Sequence, residues 1–189
     1  MALIDSFVAE KNIDLSFPAV VITGRDTRKS GKYLLDLAIE SCKIMHAEVI
    51  NLEEVTTPLL HHVVRQYNDP ASQYKGVDGY YRMLGEAFAQ TIKGFEAEAR
   101  ARDALHVDCA NGAASHTAEM IFTSLGADCE FIAYRPDGVN INNMCGSTHM
   151  EELCRRTREG GFDLGAAGSP GQDRLNRRNE LLRREMMLQ

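Results

Sequence analysis

Leu105–Tyr134 reads LHVDCANGAASHTAEMIFTSLGADCEFIAY, and its pattern is strand, tight turn, helix, turn, strand. Leu105–Cys109 is short and largely apolar, as a buried parallel strand is. Asn111-Gly112 supplies the left-handed backbone chemistry that lets a strand break sharply into a helix. Ala114, Ala118, Ile121, Phe122 and Leu125 recur at helical spacing, so one face of that helix is apolar. Gly126 stands where a helix C-cap glycine is expected, and Cys129–Tyr134 resumes a β-rich run. A strand–helix–strand of this length closes as a right-handed parallel crossover, which makes the stretch a βαβ unit.

The pattern recurs upstream. FPAVVIT (17–23) is a short β-branched run, with Pro18 best placed at its start. GRDTRKSG (24–31) follows as the turn, and then a helix through Ala47 with Leu34, Leu35, Ala38, Cys42 and Met45 on one face. Glu48–Leu52 is the next strand. Ahead of these, Ala2–Lys11 has a weak helical period. In the turn, Arg25, Arg28 and Lys29 lie near a helix N-terminus, which favours anions; a polar turn with a solvated basic rim accounts for the same residues. Neither GxxxxGK[ST] nor GxGxxG is present.

Val55–Pro58 reads as a loop and Leu59–Gln66 as a short helix carrying His61 and His62. Adjacent histidines on a helix do not face one metal, which takes i, i+4 spacing. NDPASQYKGVDG (68–79) has linker composition, and Tyr80–Arg102 reads as a long amphipathic helix leading into the central unit. Ser115-His116 reads as a helix start, since no GxSxG elbow surrounds it. After Tyr134 come a polar loop, a helix from about Thr148 to Arg158, and a last strand at Phe162–Ala167. Asn176–Gln189 is a locally basic tail with Arg177, Arg178, Arg183 and Arg184.

Composition narrows the function classes. The chain has 189 residues, 44% hydrophobic and 25% charged, room for one domain or two small ones. The net charge of −6 argues against a nucleic-acid surface, though local charge decides binding of a small anion. No apolar run reaches membrane-spanning length, and residues 1–23 lack the features of a secretory signal. The five cysteines show no CxxC pair, so they read as thiols in a reducing cytoplasm.

Taken in order, GRDTRKSG, VTTP, GYYRMLGEAF, VDCANGAAS, NNMCG and FDLGAA before a loop ending in Asp173-Arg174 resemble an α-D-phosphohexomutase. The likeness is strongest to the phosphoacetylglucosamine mutases and covers roughly residues 15 to 174. It implies α/β architecture with parallel or mixed sheets built from βαβ units, as two incomplete phosphohexomutase-type domains. On this basis residues 1–68 are the latter part of domain 1 and 69–79 a linker. Residues 80–174 are a connecting helix with the front of domain 2, and 175–189 the tail. The resemblance also implies the interconversion of N-acetylglucosamine 6-phosphate and 1-phosphate, feeding UDP-N-acetylglucosamine synthesis. A phosphoserine, Mg²⁺ held by three aspartates, and Arg25 and Arg28 facing the sugar phosphate belong to that expectation.

Several positions depart from the family pattern. No TASHNP-like serine loop precedes Phe17. The family's DGDAD-Arg metal loop aligns with Ser169, Pro170, Gly171, Gln172, Asp173 and Arg174. Ser169 and Gly171 thus replace two metal aspartates, leaving Asp173 as the single ligand position and Arg174 as the one catalytic candidate. On this resemblance, domains 3 and 4 of the family are expected to be missing. The expectation is a cytoplasmic, mutase-like chain that is inactive alone and binds Mg²⁺ weakly. It contacts a hexosamine phosphate, with a protein partner covering exposed domain faces. A non-catalytic sugar-phosphate or protein binding module and a truncated gene fragment are the alternatives.

Overall fold

The computed structural model describes residues 2–16, 18–94, 104–162 and 164–168. Two parallel sheets organise them. In the first, β1 (Val20–Arg25) pairs with β2 (Glu48–Glu54), and α2 (Lys29–Ile44) makes the crossover. Helix α1 (Ala2–Glu10) precedes them. β1 extends two residues beyond the expected strand, through Gly24 and Arg25. Gly24 is a packing residue here: a Cβ on it would lie 2.4 Å from the Val55 side chain. The basic turn is correspondingly shorter, because α2 already begins at Lys29.

Only part of the expected apolar stripe of α2 packs. Leu35 is buried, whereas Leu34 and Met45 are exposed, together with Leu37 and Ile44. A sheet of two strands is too narrow to cover a whole helix face. β2 is followed directly by α3 (Thr57–Tyr67), with Pro58 in its first turn, where a missing N–H costs nothing. Leu59, 1% exposed, anchors this helix, a burial that contributes about 2–3 kcal/mol.

The connecting helix α4 (Gly76–Thr91) starts four residues earlier than its composition suggests. The two glycines that read as linker residues serve the backbone. Gly76 has φ 70°, and a Cβ on Gly79 would sit 2.1 Å from the Tyr74 carbonyl carbon. The preceding segment is tied down by side chains. His62 Nε2 meets the Tyr74 carbonyl at 2.8 Å, Tyr74 donates its hydroxyl to Glu86 at 2.6 Å, and Ser72 bonds Gln66. α4 packs on α3 and on the second unit's first helix, approaching Ser124 closely at Gly85. It is the bridge between the units.

The second sheet runs β4-β3-β5, all parallel, with β3 (Ala104–Asp108) central, β4 (Asp128–Ile132) on one side and β5 (Leu164–Ala167) on the other. The turn after β3, α5 (Ala114–Leu125) and its Gly126 cap at φ 68° follow the sequence pattern closely. β3 divides its side chains by alternation. Val107 and Cys109 enter an apolar cluster with Ala118 of α5, packed by Phe122, Cys129 and Phe131. His106 and Asp108 take the other face, where α6 (Glu151–Glu159) packs and Leu153 is buried.

Candidate functional site

The site forms where the C-terminal ends of β1, β2 and β3 meet. The Asp26 carboxylate accepts the Arg28 N–H at 3.0 Å and pairs with the Arg28 guanidinium, which shapes the turn locally. Thr27 is 5% exposed and points across to the second unit, donating its hydroxyl to the Asn111 carbonyl at 2.9 Å. The Lys29 N–H donates to the Gly138 carbonyl at 3.2 Å. The basic turn is therefore docked on the second unit.

On that side, Ala110 and Asn111 both adopt left-handed conformations, with φ 54° and 51°. Asp108, buried at 2% exposure, makes this possible. Its Oδ1 accepts the Ala110 N–H at 2.8 Å, and its Oδ2 accepts the Gly146 N–H at 2.7 Å. Its main-chain carbonyl accepts the Gly168 N–H at 2.8 Å. One residue thus gathers the turn after β3, the NNMCG loop and the exit of β5. Asn111 continues the work, accepting the Arg135 N–H at 3.1 Å and donating to the Asn140 carbonyl at 3.3 Å. Asp137 accepts the N–H groups of Val139 and Asn140, both at 2.8 Å. Those bonds hold its carboxyl below the ordinary aspartate range.

Arg25 closes the site on the β2 side. Its guanidinium lies 2.7 Å from Glu54 Oε1, and Glu54 Oε2 lies 2.6 Å from Nε2 of His116 in the first turn of α5. Arg28 is half exposed beside Asp26. So Arg25 and Arg28 both stand at the edge where parallel sheets bind ligands, each already beside a carboxylate. Asp173, Arg174, Ser169 and Gly171 lie outside the described residues. Ser115 sits in the first turn of α5 with its hydroxyl oxygen buried and without a hydrogen-bond partner among the described residues.

Two thiols, Cys109 and Cys129, pack in the apolar cluster behind β3. Burial, with Asp108 adding to it, pushes Cys109 up to about 12, and burial pushes Cys129 up to about 11. His106 is 1% exposed and stacked on Phe162 at 4.7 Å. Burial lowers its pKa, opposed by the smaller pull of Glu130. Neither ring nitrogen has a hydrogen-bond partner among the described residues.

No family model matches the chain. A phosphoglucosamine mutase from Deinococcus deserti is 30% identical over 203 aligned positions, covering 82% of this chain and 46% of the relative. That alignment is longer than this whole chain, so gaps within it accommodate residues of the relative that have no counterpart here. Among solved structures, Aspergillus fumigatus N-acetylphosphoglucosamine mutase in complex with glucose 1,6-bisphosphate superposes with a TM-score of 0.65 at 29% identity. It covers 80% of this chain and 29% of that one. The same Aspergillus enzyme has been solved with GlcNAc-6P and magnesium. An N-acetylglucosamine-phosphate mutase of the α-D-phosphohexomutase superfamily, in its substrate complex, gives a TM-score of 0.63 at 27% identity. It covers 79% of this chain and 28% of that one.

Sequence and fold together place the chain in the α-D-phosphohexomutase superfamily. Its relatives there are phosphoglucosamine mutases by sequence and N-acetylglucosamine-phosphate mutases by structure, and it spans about half the length of the former.

Proposed function

We propose that this chain binds the phosphate of a hexosamine phosphate at the joined C-terminal ends of β1 and β3, and does not complete the mutase reaction alone. One observation carries this reading: Thr27 docks the basic turn onto Asn111, so cations from one unit and the polar loops of the other share one edge. Strand C-termini and the helix N-termini that follow them converge at such an edge, which suits an anion. The interconversion of N-acetylglucosamine 6-phosphate and 1-phosphate, with its place in UDP-N-acetylglucosamine synthesis, is the activity this reading assigns to a complete assembly.

Magnesium would supply charge neutralisation during phosphoryl transfer, but the donors here do not fit it. No three His, Cys, Asp or Glu side chains converge among the described residues. The stretch after Gly168 offers Asp173 alone, with Ser169 and Gly171 at the other two positions. Mg²⁺ demands near-octahedral oxygen ligation, and one carboxylate meets little of it. Phosphate charge is then balanced by the cations of the basic turn, Arg25, Arg28 and Lys29. A cytoplasmic setting belongs to the same reading, supported by five free cysteines. No helix among the described residues is long and apolar enough to cross a membrane.

The test is a coupled assay with glucosamine, N-acetylglucosamine and glucose phosphates, with and without Mg²⁺, beside calorimetric titration of the same sugars. Binding without turnover is expected. Magnesium-dependent turnover that disappears in Asp173→Asn would overturn the proposal. A second reading, a protein partner over the first unit, is favoured by the exposed apolar residues Leu3, Ile4 and Phe7 of α1 and Leu34, Leu37 and Ile44 of α2. A purified chain that stays monomeric and binds no hydrophobic dye would remove it.

A further inference from the structure

We infer that Glu54 is a built-in competitor for phosphate at Arg25, held in place from the second unit by His116; the inference rests on the sugar-phosphate reading above. The local cause lies in β2. Pairing runs regularly from Val20↔Glu48 to Thr23↔Asn51 and then shifts, so that Arg25 stands opposite Glu54. Glu53 absorbs the shift in a left-handed conformation, φ 57°, with its N–H donated to Asn51 Oδ1 at 3.0 Å. A bulge of this kind re-aims a side chain at the end of a strand, and here it aims a carboxylate at the guanidinium.

The guanidinium is caught but not satisfied. Nη1 serves both Glu54, at 2.7 Å, and the Asp26 carbonyl, at 3.1 Å. Nε is buried and without a hydrogen-bond partner among the described residues, with the Glu53 carboxylate 4.0 Å away. Arginine carries five N–H donors in a rigid fork suited to two oxygens of one anion, and Nε is left over. Nη1, the nitrogen that Glu54 holds, becomes free for a phosphate oxygen only once Glu54 has swung away. Glu54 is itself steadied by His116 Nε2, 2.6 Å from its second oxygen. Displacing Glu54 from Arg25 therefore also disturbs the contact between the units, and binding and unit contact are coupled reciprocally.

The experiment titrates the full chain with inorganic phosphate and separately with glucosamine 6-phosphate, comparing wild type with Glu54→Gln, Arg25→Gln and the double variant. Glutamine keeps the shape and removes the competing charge; its carbonyl oxygen still accepts from Arg25, and its NH₂ faces His116 Nε2, which accepts in the tautomer protonated at Nδ1. Glu54→Gln is expected to bind phosphate about tenfold tighter, the difference between an occupied and a free cation, and the double variant to lose that gain. Glu54→Asp, which draws the carboxylate back, gives the same direction if the amide variant folds poorly. Equal affinity in wild type and Glu54→Gln, with loss in Arg25→Gln, would show a phosphate-binding arginine without a competitor and overturn the inference. Unchanged affinity in Arg25→Gln would place the phosphate elsewhere, overturning the inference while the sugar-phosphate reading stands. Absence of binding in every variant, Glu54→Gln included, would remove both.

Discussion

Replacing Asp108 with asparagine is the sharpest probe of how the site is held. The side chain keeps its volume and β3 keeps its ladder, but one carboxylate oxygen becomes an amide nitrogen. Two N–H groups now point at that carboxylate, Ala110 at 2.8 Å and Gly146 at 2.7 Å. Asparagine can accept from only one of them, and its NH₂ then faces the other donor. A hydrogen bond to a charged acceptor contributes about 1.5–3 kcal/mol, and a stranded buried donor costs about 1–3 kcal/mol. Against this, Asp108 has no cationic partner among the described residues, so neutralising it recovers part of the cost of burying a charge. The expected net loss is about 2–3 kcal/mol, or a fall in melting temperature of roughly 5–10 °C for a chain of this size. Urea unfolding followed by far-UV circular dichroism gives the energy. Amide exchange at Ala110 and Gly146 localises it, and both amides should exchange faster in the variant. A change below about 0.5 kcal/mol, the scatter of ordinary surface substitutions, with the Gly146 amide as protected as before, would refute the claim that this carboxylate holds the loop to the strand.

Two further outcomes follow from the same sheet. His106 is buried with a lowered pKa, so the unfolded chain takes up the proton first. The contribution of His106 should be flat above about pH 6.5 and fall as pH drops below it, by at most about 1.4 kcal/mol per pH unit. His106→Phe, which keeps the stacking on Phe162, should flatten that limb; an unchanged acid limb would mean other groups control it. Cys109 and Cys129, pushed up to about 12 and about 11, should resist iodoacetamide at pH 8 in the folded chain and react on unfolding in urea, as read by peptide mass spectrometry. Labelling of Cys109 at the rate of a free thiol without denaturant would contradict its burial.

The central unit was legible because several local signals agree there. Apolar spacing, Asn-Gly turn chemistry and the Gly126 cap all point to one strand–helix–strand, and the parallel pairing of β3 with β4 matches. Glycine misled where it serves packing. Gly24 and Gly79 read as breakers, yet each sits where a Cβ would strike a neighbour, Val55 in one case and Tyr74 in the other. The reading of α2 also failed in part, since amphipathic spacing marks an apolar face without saying how much sheet lies beneath it. Arg25 and Arg28 stood out by their charge beside a turn. Asp108, Glu54 and His116 did not, because their partners lie far along the chain: Asp108 meets Gly146, and Glu54 meets His116. No short-range pattern encodes such pairs. The candidates at 169–174 lie outside the described residues.

The strand order β4-β3-β5 has a consequence for how the chain is made. β4 can join β3 as soon as α5 has been synthesised, but the opposite edge of β3 waits for β5, with Leu105 pairing to Leu164 nearly sixty residues later. During that interval the central strand presents open backbone groups on the ribosome, a template for pairing with the wrong chain. Closing so long a loop is slow relative to local helix formation. The Asp108 carbonyl receives the Gly168 N–H at the end of this process, so the residue that gathers the site is also among the last to be completed. Translation speed across residues 133–168 should therefore set how long that edge of β3 stays open.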